Sequence, residues 1–386
     1  MFDGRTSQIG KLADSRKNKL PMINIPFIEF TRRAYLGGSI SFKGMFLLLG
    51  YYLQIIISLP FSVLQFLIFG QRIRKTIISK DPVFILGHYR SGTTYLQKLM
   101  VCDKQFGCLT NYDALLSNSN LLFGEKMQPV FQRLINLFRI KNPFFHNSIV
   151  LLSEPDEEDD YLMNKASAYS AYWGLIFPKR WRKWLNCSPQ FLNQKYLNGW
   201  KREYMKTLKY ATFKNNGKQL ILKSPPNTER IKVLLEMFPQ AKFIYIYRNP
   251  FHLYYSTRNM WKRAILNYYS LQEISDAELD EIIFEHYISL TNQYEKDKKL
   301  IPDGNLVEVS YEELKANSFN VIRMIYSKID LPDFELTVDD LLLKLEMEKD
   351  YQNFQHKFSD NTFQKINERW GKYIRQWNYK AIDNIL

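Results

Sequence analysis

Residues 87–94 read GHYRSGTT, which concentrates an arginine and three hydroxyl side chains in one short segment. The segment follows the apolar run Val83–Leu86, typical of a buried strand, and precedes a helical pattern through Leu96 and Leu99. Where a strand leads into the N-terminus of a helix, backbone N–H groups and the helix dipole bind phosphate or sulfate. We therefore expect an anion site formed by Arg90, Ser91, Gly92, Thr93 and Thr94.

This loop lacks the residue on which nucleotide hydrolysis depends. Its spacing, Gly87-x4-Gly92, is that of a nucleotide-binding P-loop, but Thr93 stands where a nucleotide hydrolase has lysine. A later apolar run, Lys242–Tyr247, ends in Arg248, where a kinase or ATPase needs an acidic residue for Mg²⁺. The sequence therefore favours anion binding without a metal, and a P-loop-like phosphotransferase is the alternative enzyme class.

Two more basic residues follow predicted strands. Lys223 comes directly after the short apolar run 220–222, and Arg248 is followed eight residues later by Ser256. The carboxyl ends of parallel strands meet at one crevice, which is where open α/β sheets bind ligands. An arginine with a nearby hydroxyl suits a second phosphate, separate from the one at the loop. Two anion sites on one sheet indicate a nucleotide phosphorylated at both ends.

Taken together, these motifs resemble the sulfotransferases that use 3′-phosphoadenosine-5′-phosphosulfate (PAPS). FILGHYRSGTTYL resembles their 5′-phosphosulfate loop, while KSPPNTERI and FPQAKFIYIYRNPFHLYYST resemble the next two motifs of the bacterial branch. The resemblance covers residues 82–112 and 150–260. It implies an α/β fold, a three-layer sandwich with a central parallel sheet, and sulfuryl transfer from PAPS to a hydroxyl group without a metal.

The resemblance also implies a role for each matching residue. Arg90 is expected to bind the bridging oxygen, and Lys223 is expected to bind the sulfuryl group. The backbone N–H groups of residues 91–94 are expected to bind the 5′-phosphate. Arg248 and Ser256 are expected to bind the 3′-phosphate. A further basic contact to that phosphate is expected from the C-terminal part, where the candidates are Lys357, Arg369 and Lys372.

The general base is harder to assign, because Pro225 occupies the position of the histidine in the K-T-H pattern of cytosolic animal relatives. One candidate is Glu157, within the acidic segment 154–160, which resembles a P-Q-E-D-E segment of bacterial relatives. The other is His88, whose ordinary pKa suits a base near neutrality. We prefer Glu157, although an acidic run is also typical of a solvated turn. The remaining histidines have no metal-ligand spacing, so no metal is expected: His146, His252, His286 and His356.

Composition limits the class of partner. The chain has 386 residues and a net charge of +14, which indicates an anionic partner such as nucleic acid, anionic lipid or a phosphorylated small molecule. Its three cysteines are too few for a disulfide framework and fit a reducing compartment. The alternative without catalysis is a basic protein that binds membrane surfaces or nucleic acid. We expect no nucleic acid, because the key basic residues stand singly at strand ends.

Residues 44–70 contain no charged side chain and are long enough to span a membrane. Pro60 is expected to break or kink a helix at this point. The expected hydrophobic helices pack on the domain, face the substrate or lie at a membrane surface. We therefore divide the chain into a basic, hydrophobic segment, 1–80, and a sulfotransferase domain, 81–386. The apolar run and the dense aromatics favour a sterol, steroid, phenol or lipid alcohol as acceptor, with a glycan as the alternative. We expect a cytoplasmic enzyme with contact to the inner membrane face.

Overall fold

Five parallel strands form the central sheet of this computed structural model, which describes residues 26–144, 148–187, 192–347 and 360–379. In spatial order the strands are β2, β3, β1, β4 and β5. Their bounds are β1 Val83–Leu86, β2 Phe106–Gly107, β3 Gln219–Lys223, β4 Lys242–Tyr247 and β5 Leu306–Ser310. All four residues of β1 are buried, as expected for the middle strand of a sheet that is covered on both faces.

Helices cover both faces of the sheet and both of its ends. Those before β3 are α1 Pro26–Gly37, α2 Phe42–Lys75, α3 Thr93–Met100, α4 Asn111–Leu115, α5 Asn120–Phe123, α6 Gln128–Leu137, α7 Glu158–Asn164, α8 Trp173–Ile176, α9 Trp181–Trp184 and α10 Gln194–Lys214. Those after β3 are α11 Ile231–Met237, α12 Pro250–Met260, α13 Asp276–Asp297, α14 Tyr311–Ala316, α15 Ser318–Lys328, α16 Val338–Met347 and α17 Asp360–Gln376. A π-helix, Trp261–Tyr269, continues α12.

The two faces of the sheet bury separate apolar clusters. On one face, Leu222 and Phe243 pack in a cluster with residues of α10, α11 and α13. On the other face, Ile85 and Ile244 pack with residues of α3, α14 and α15. Successive residues of one strand therefore face opposite helical layers, which is the period-2 geometry of a strand buried on both sides. This arrangement confirms the predicted three-layer α/β fold with a central parallel sheet.

The prediction that Pro60 interrupts the long apolar run is wrong. Helix α2 continues through Pro60 as 34 residues. A proline removes one hydrogen bond from a helix and crowds the preceding turn. Here side-chain contacts fix the helix on both sides of Pro60: Tyr51 donates to the carbonyl of Tyr269 at 3.2 Å, and Gln65 donates to the carbonyl of Ser117 at 3.1 Å. Packing against the domain thus outweighs the local preference for a break.

Candidate active site

The loop between β1 and α3 contains three residues with positive φ, one of which is Gly87 with φ of 147°. Arg90 has φ of 68° and Gly92 has φ of 104°. Such residues allow successive backbone N–H groups to face one concavity, which binds anions. A side chain is excluded at Gly92, because an added Cβ would lie 2.3 Å from a ring carbon of Tyr311. The loop therefore has the compact backbone of an anion site, and α3 begins at its end, at Thr93.

Interactions within the loop and with the segment that follows β3 hold this backbone in place. The amide of Gly87 donates to the hydroxyl oxygen of Thr228 at 2.8 Å. The amide and the hydroxyl of Ser91 both donate to the carbonyl of His88, at 3.1 and 2.8 Å. Ser91 thus shapes the loop with its side chain, whereas Thr93 and Thr94 line the adjoining cavity.

Arg248 and Ser256 meet the anion loop directly, although they follow a different strand. Nε of Arg90 donates to the hydroxyl of Ser256 at 3.1 Å, and Nη1 of Arg248 donates to the carbonyl of Arg90 at 3.0 Å. The guanidinium of Arg248 also lies over the ring of Tyr311, 4.4 Å from its centroid. Its Nε atom is buried and has no hydrogen-bond partner among the described residues. A buried donor without a partner is costly, so this atom is suited to bind a ligand.

Lys223 and Glu157 form an ion pair beside the same loop. Lys223 ends β3 with a side chain only 2% exposed, and its ammonium group contacts Oε1 of Glu157, which immediately precedes α7. Burial raises the pKa of Glu157 to about 7, while the charge of Lys223 acts in the opposite direction. Glu157 can therefore exchange a proton near neutral pH, which is the property required of a general base.

Two further carboxylates of the acidic segment, those of Glu158 and Asp159, are buried and paired, so the alternative of a solvated turn is wrong. Asp159 accepts two hydrogen bonds from Arg230, at 2.6 and 3.2 Å. The hydroxyl of Ser224 donates to Glu158 at 2.6 Å, and burial raises the pKa of Glu158 to about 7. These contacts connect the start of α7 to the segment that follows β3, and thereby place Glu157 beside Lys223.

A cavity of about 260 Å³ extends from these residues to the N-terminal helices. Its polar end is lined by Arg90, Thr93, Thr94, Glu157 and Lys223. Its apolar wall includes Ile55, Met163, Leu175, Ile176, Met260 and Ile265. A mostly apolar pocket with a few convergent polar groups is the usual form of a small-molecule site. The anion loop and an apolar compartment are therefore parts of one space.

Several residues that the sequence did not single out individually also line this cavity. Asp160 lines it three residues after Glu157, a spacing that places both on one side of α7. Asp156 lines it as well, and burial raises the pKa of both aspartates. Tyr51 and Gln54 come from α2, which the sequence predicted to face the substrate or a membrane, although it did not single out these two side chains.

His88 belongs to the anion loop, but its side chain does not line the cavity. Its Nδ1 is 2.8 Å from the carbonyl oxygen of Tyr89, and its Nε2 is 3.2 Å from Nδ1 of His286. Burial lowers the pKa of His88 to about 4, so the ring is neutral at physiological pH. Both ring nitrogens are engaged inside the protein, which leaves Glu157 as the better placed of the two candidate bases.

Two of the three C-terminal candidates lie in the described part of the chain, and both contact α13 instead of the cavity. Arg369 pairs with Glu281 of α13 at 3.0 Å, and Lys372 donates to the side chain of Asn292 at 3.3 Å. Neither is among the cavity-lining residues, and Lys357 lies outside the described residues. Within the described part of the chain, no group of three or more His, Cys, Asp or Glu side chains has the geometry of a metal site.

Comparisons with known proteins agree with this geometry. The model of the Sulfotransferase family matches residues 82–335. Omega-hydroxy-beta-dihydromenaquinone-9 sulfotransferase Stf3 of Mycobacterium bovis is 30% identical over 318 residues, which cover 82% of this chain and 79% of that protein. The protein of the same name from Mycobacterium tuberculosis matches with the same identity and coverage.

Solved structures show the same fold. Sulfotransferase STF9 from Mycobacterium avium superposes with a TM-score of 0.69 at 15% identity, covering 94% of this chain and 99% of that one. Sulfotransferase STF1 from Mycobacterium tuberculosis H37Rv gives a TM-score of 0.64 at 16% identity, covering 89% of this chain and 93% of that one. The family model, the relatives and the fold agree, and the chain belongs to the sulfotransferase family.

Proposed function

We propose that this chain transfers a sulfuryl group from PAPS to the hydroxyl of a membrane lipid or a similarly apolar alcohol. The observation that supports this most is the continuity of the cavity. Its polar end carries the anion loop and the Lys223–Glu157 pair, and its other end is an apolar wall that includes Ile55 of α2. A charged donor and a hydrophobic acceptor thus have adjoining compartments in one space.

The donor would be bound at both of its anionic ends. The backbone of the anion loop and the hydroxyls of Thr93 and Thr94 would bind the 5′-phosphosulfate, at the N-terminus of α3. Arg248 and Ser256 would bind the 3′-phosphate, and the buried Nε of Arg248 would gain an acceptor there. The positive charge of the loop is carried by Arg90, and Thr93 stands one position after Gly92, where nucleotide hydrolases have lysine. This difference supports a phosphosulfate donor over ATP.

In the reaction, Glu157 takes the proton from the acceptor hydroxyl as its oxygen forms a bond to sulfur. The bond from sulfur to the bridging oxygen breaks, and the 5′-phosphate leaves with the negative charge. Lys223 and Arg90 stabilise the charge that spreads over the sulfuryl group and the bridge. The loop and the apolar wall hold the two substrates in line, which supplies a large part of the rate. The buried position of Glu157 keeps its pKa near the working pH.

The apolar wall and the relatives support a lipid alcohol as the acceptor class. The name of the curated relatives describes sulfotransferases of an omega-hydroxylated menaquinone, a hydrophobic molecule with a hydroxyl group. Helix α2 of this chain contributes Tyr51, Gln54 and Ile55 to the cavity, and its sequence is apolar enough to cross a membrane. We therefore place the enzyme on the cytoplasmic side of a membrane, where PAPS and a lipid hydroxyl can meet.

Thermal unfolding separates this function from the phosphotransferase alternative. Purified protein is heated alone, with 3′-phosphoadenosine 5′-phosphate, and with ATP plus Mg²⁺. A ligand that binds the native state raises the melting temperature by mass action. We expect stabilisation by the bisphosphate at micromolar concentration and little effect of ATP. Stabilisation by ATP plus Mg²⁺ without stabilisation by the bisphosphate would overturn the proposed donor. Binding of heparin-like glycans without binding of lipid alcohols would indicate a glycan acceptor instead of a lipid alcohol.

A further inference from the structure

Helix α2 is attached to the domain along its whole length. Lys43 donates to the carbonyl of Leu266 near its start, and Tyr51 donates to the carbonyl of Tyr269. Further along, Gln65 donates to the carbonyl of Ser117, and the guanidinium of Arg72 lies over the ring of Phe213 near its end. A helix that crossed a bilayer while keeping these contacts would draw the polar domain into the hydrocarbon. The structure therefore favours α2 lying in the plane of a membrane surface.

The opposite side of α2 is an exposed apolar face. Its members recur every three or four residues, which places them on one side of the helix. They are Phe42, Met45, Phe46, Leu49, Leu53, Ile56, Ile57, Phe61, Leu64, Leu67 and Ile68. Exposed apolar surfaces of this extent mark sites of interaction with a membrane or another protein.

Helix α6 extends this face. None of its residues is buried, and Val130, Leu134 and Leu137 are exposed, as is Phe138 directly after it. The ring of Phe123 contacts Phe61 of α2 at 5.8 Å between centroids, and Phe131 of α6 at 5.3 Å. Phe123 therefore connects the two helices side by side. We call the exposed apolar residues of α2 and α6, together with Phe138, the docking surface.

Basic residues border the docking surface. Arg72, Arg74 and Lys75 are exposed at the end of α2. Next to α6, the exposed basic residues are Lys126, Arg133, Arg139 and Lys141. In the sequence, Glu29 is the only acidic residue between positions 26 and 80, and Glu125 is the only one between 124 and 144. An apolar face with a basic border matches a bilayer that contains anionic lipid.

The cavity opens on the docking surface. Gln54 and Leu115 line the cavity and are also exposed, so the cavity reaches the surface at these side chains. Next to Gln54, Leu53 and Ile57 belong to the docking surface. Across the opening, backbone hydrogen bonds join Asn142 to Ser148 and Val150 to Ile140, and Asn142 and Val150 also line the cavity. Leu53, Ile57 and Leu115 thus give the opening an exposed apolar side that is continuous with the docking surface.

We propose that the docking surface binds an anionic bilayer with α2 and α6 parallel to it, and that the acceptor enters the cavity beside Gln54 directly from that bilayer. Only the second part rests on the proposed function. Charge favours this partner over a second copy of the chain, because two copies joined face to face would bring their basic borders together.

Vesicle binding tests the surface independently of catalysis. The full-length protein is mixed with vesicles of phosphatidylcholine, with or without phosphatidylglycerol, and floated on a density gradient. The variant is Leu137→Glu/Phe138→Glu, at residues 73% and 71% exposed and outside the cavity lining. The matched control is Leu336→Glu/Met347→Glu, at residues 79% and 72% exposed and outside the docking surface. We expect binding to phosphatidylglycerol vesicles, weakened at least about tenfold in the variant and unchanged in the control.

Two activity measurements test the route of the acceptor. One uses a long-chain primary alcohol embedded in the vesicles, and the other uses hexanol in free solution. We expect the variant to lose most of its activity on the embedded alcohol and to keep its activity on hexanol. Equal loss on both alcohols would overturn access from the bilayer.

Other outcomes separate the two proposals. Absence of wild-type binding to either vesicle type overturns the docking surface, even if hexanol is sulfated. A wild-type dimer that the variant dissociates, again without vesicle binding, assigns the surface to a second copy instead. Vesicle binding without sulfuryl transfer to either alcohol keeps the docking surface and counts against the proposed function.

Discussion

The ammonium group of Lys223 contacts the carboxylate of Glu157, although the two residues are 66 positions apart in the chain. Lys223 is held by the end of β3, and Glu157 by the start of α7. The pair lines the cavity next to the anion loop. In the proposed reaction, Lys223 stabilises the negative charge that spreads over the sulfuryl group and the bridging oxygen. Glu157 takes the proton from the acceptor hydroxyl.

Replacing Glu157 with glutamine tests the proposed base. Glutamine keeps the size of the side chain but cannot take a proton, so we expect kcat to fall by about 10²–10⁴-fold. The affinity for 3′-phosphoadenosine 5′-phosphate, measured by calorimetry, is expected to change little. Glu158→Gln is the matched control, because Glu158 is buried beside it but does not line the cavity. Equal activity of Glu157→Gln and wild type would exclude Glu157 as the base.

The pH dependence of kcat/KM reports the ionisation of the same group. Burial raises the pKa of Glu157 to about 7, and only the ionised form accepts a proton. Activity is therefore expected to rise as pH increases from about 6 to about 8 and to level off above that range. Glu158→Gln separates the two glutamates of similar pKa: the rise is expected to persist in this variant. If the rise in activity disappears in Glu158→Gln, the pH dependence reports the ionisation of Glu158 and not that of Glu157.

Arg248→Ala tests the binding of the 3′-phosphate. Loss of a charge-assisted hydrogen bond costs about 1.5–3 kcal/mol, so we expect about a 10–150-fold weaker affinity for 3′-phosphoadenosine 5′-phosphate. Adenosine 5′-phosphosulfate, which lacks that phosphate, is expected to bind wild type and variant with similar affinity. Arg369→Ala is the control, because Arg369 pairs with Glu281 of α13, whereas Arg248 contacts the anion loop at Arg90. A larger loss in Arg369→Ala than in Arg248→Ala would move the phosphate site to α17.

Asp159→Asn is expected to destabilise the fold. Asp159 and Arg230 form a buried ion pair, and removal of one partner leaves a buried charge, which costs about 3–5 kcal/mol. Urea unfolding followed by circular dichroism measures this loss. The control is Glu285→Gln, whose pair with Arg182 is partly exposed and is therefore expected to contribute about 1 kcal/mol or less. Similar unfolding midpoints for the two variants would contradict the structural role of the buried pair.

The anion loop was predictable because all its residues lie within one short segment, where glycine and hydroxyl spacing follow from local backbone geometry. Strands β1, β3 and β4 were also predicted, since their apolar runs are bounded by clear turns. Strand β5 was missed, because Glu308 interrupts its apolar pattern, and its carboxylate is instead bound by the hydroxyl of Tyr294 at 2.5 Å.

Features that depend on distant contacts were less accessible. The burial of Asp159 follows from its pairing with Arg230, which no local pattern indicates. The continuity of α2 through Pro60 depends on contacts with Tyr269 and Ser117, far along the chain. The same packing brings Tyr51 and Gln54 to the cavity. The sequence predicted that the apolar segment faces the substrate or a membrane, but not which of its side chains line the site.

Transfer of labelled sulfur is the most direct test of the proposed function. The protein is incubated with PAPS carrying radioactive sulfur and with a long-chain primary alcohol in phosphatidylglycerol-containing vesicles, and the lipid phase is then extracted. A parallel reaction contains ATP labelled in its γ-phosphate with Mg²⁺. We predict that the sulfur label enters the lipid phase in the wild type and not in Glu157→Gln, and that the phosphate label does not. Transfer of phosphate without sulfur would contradict the account.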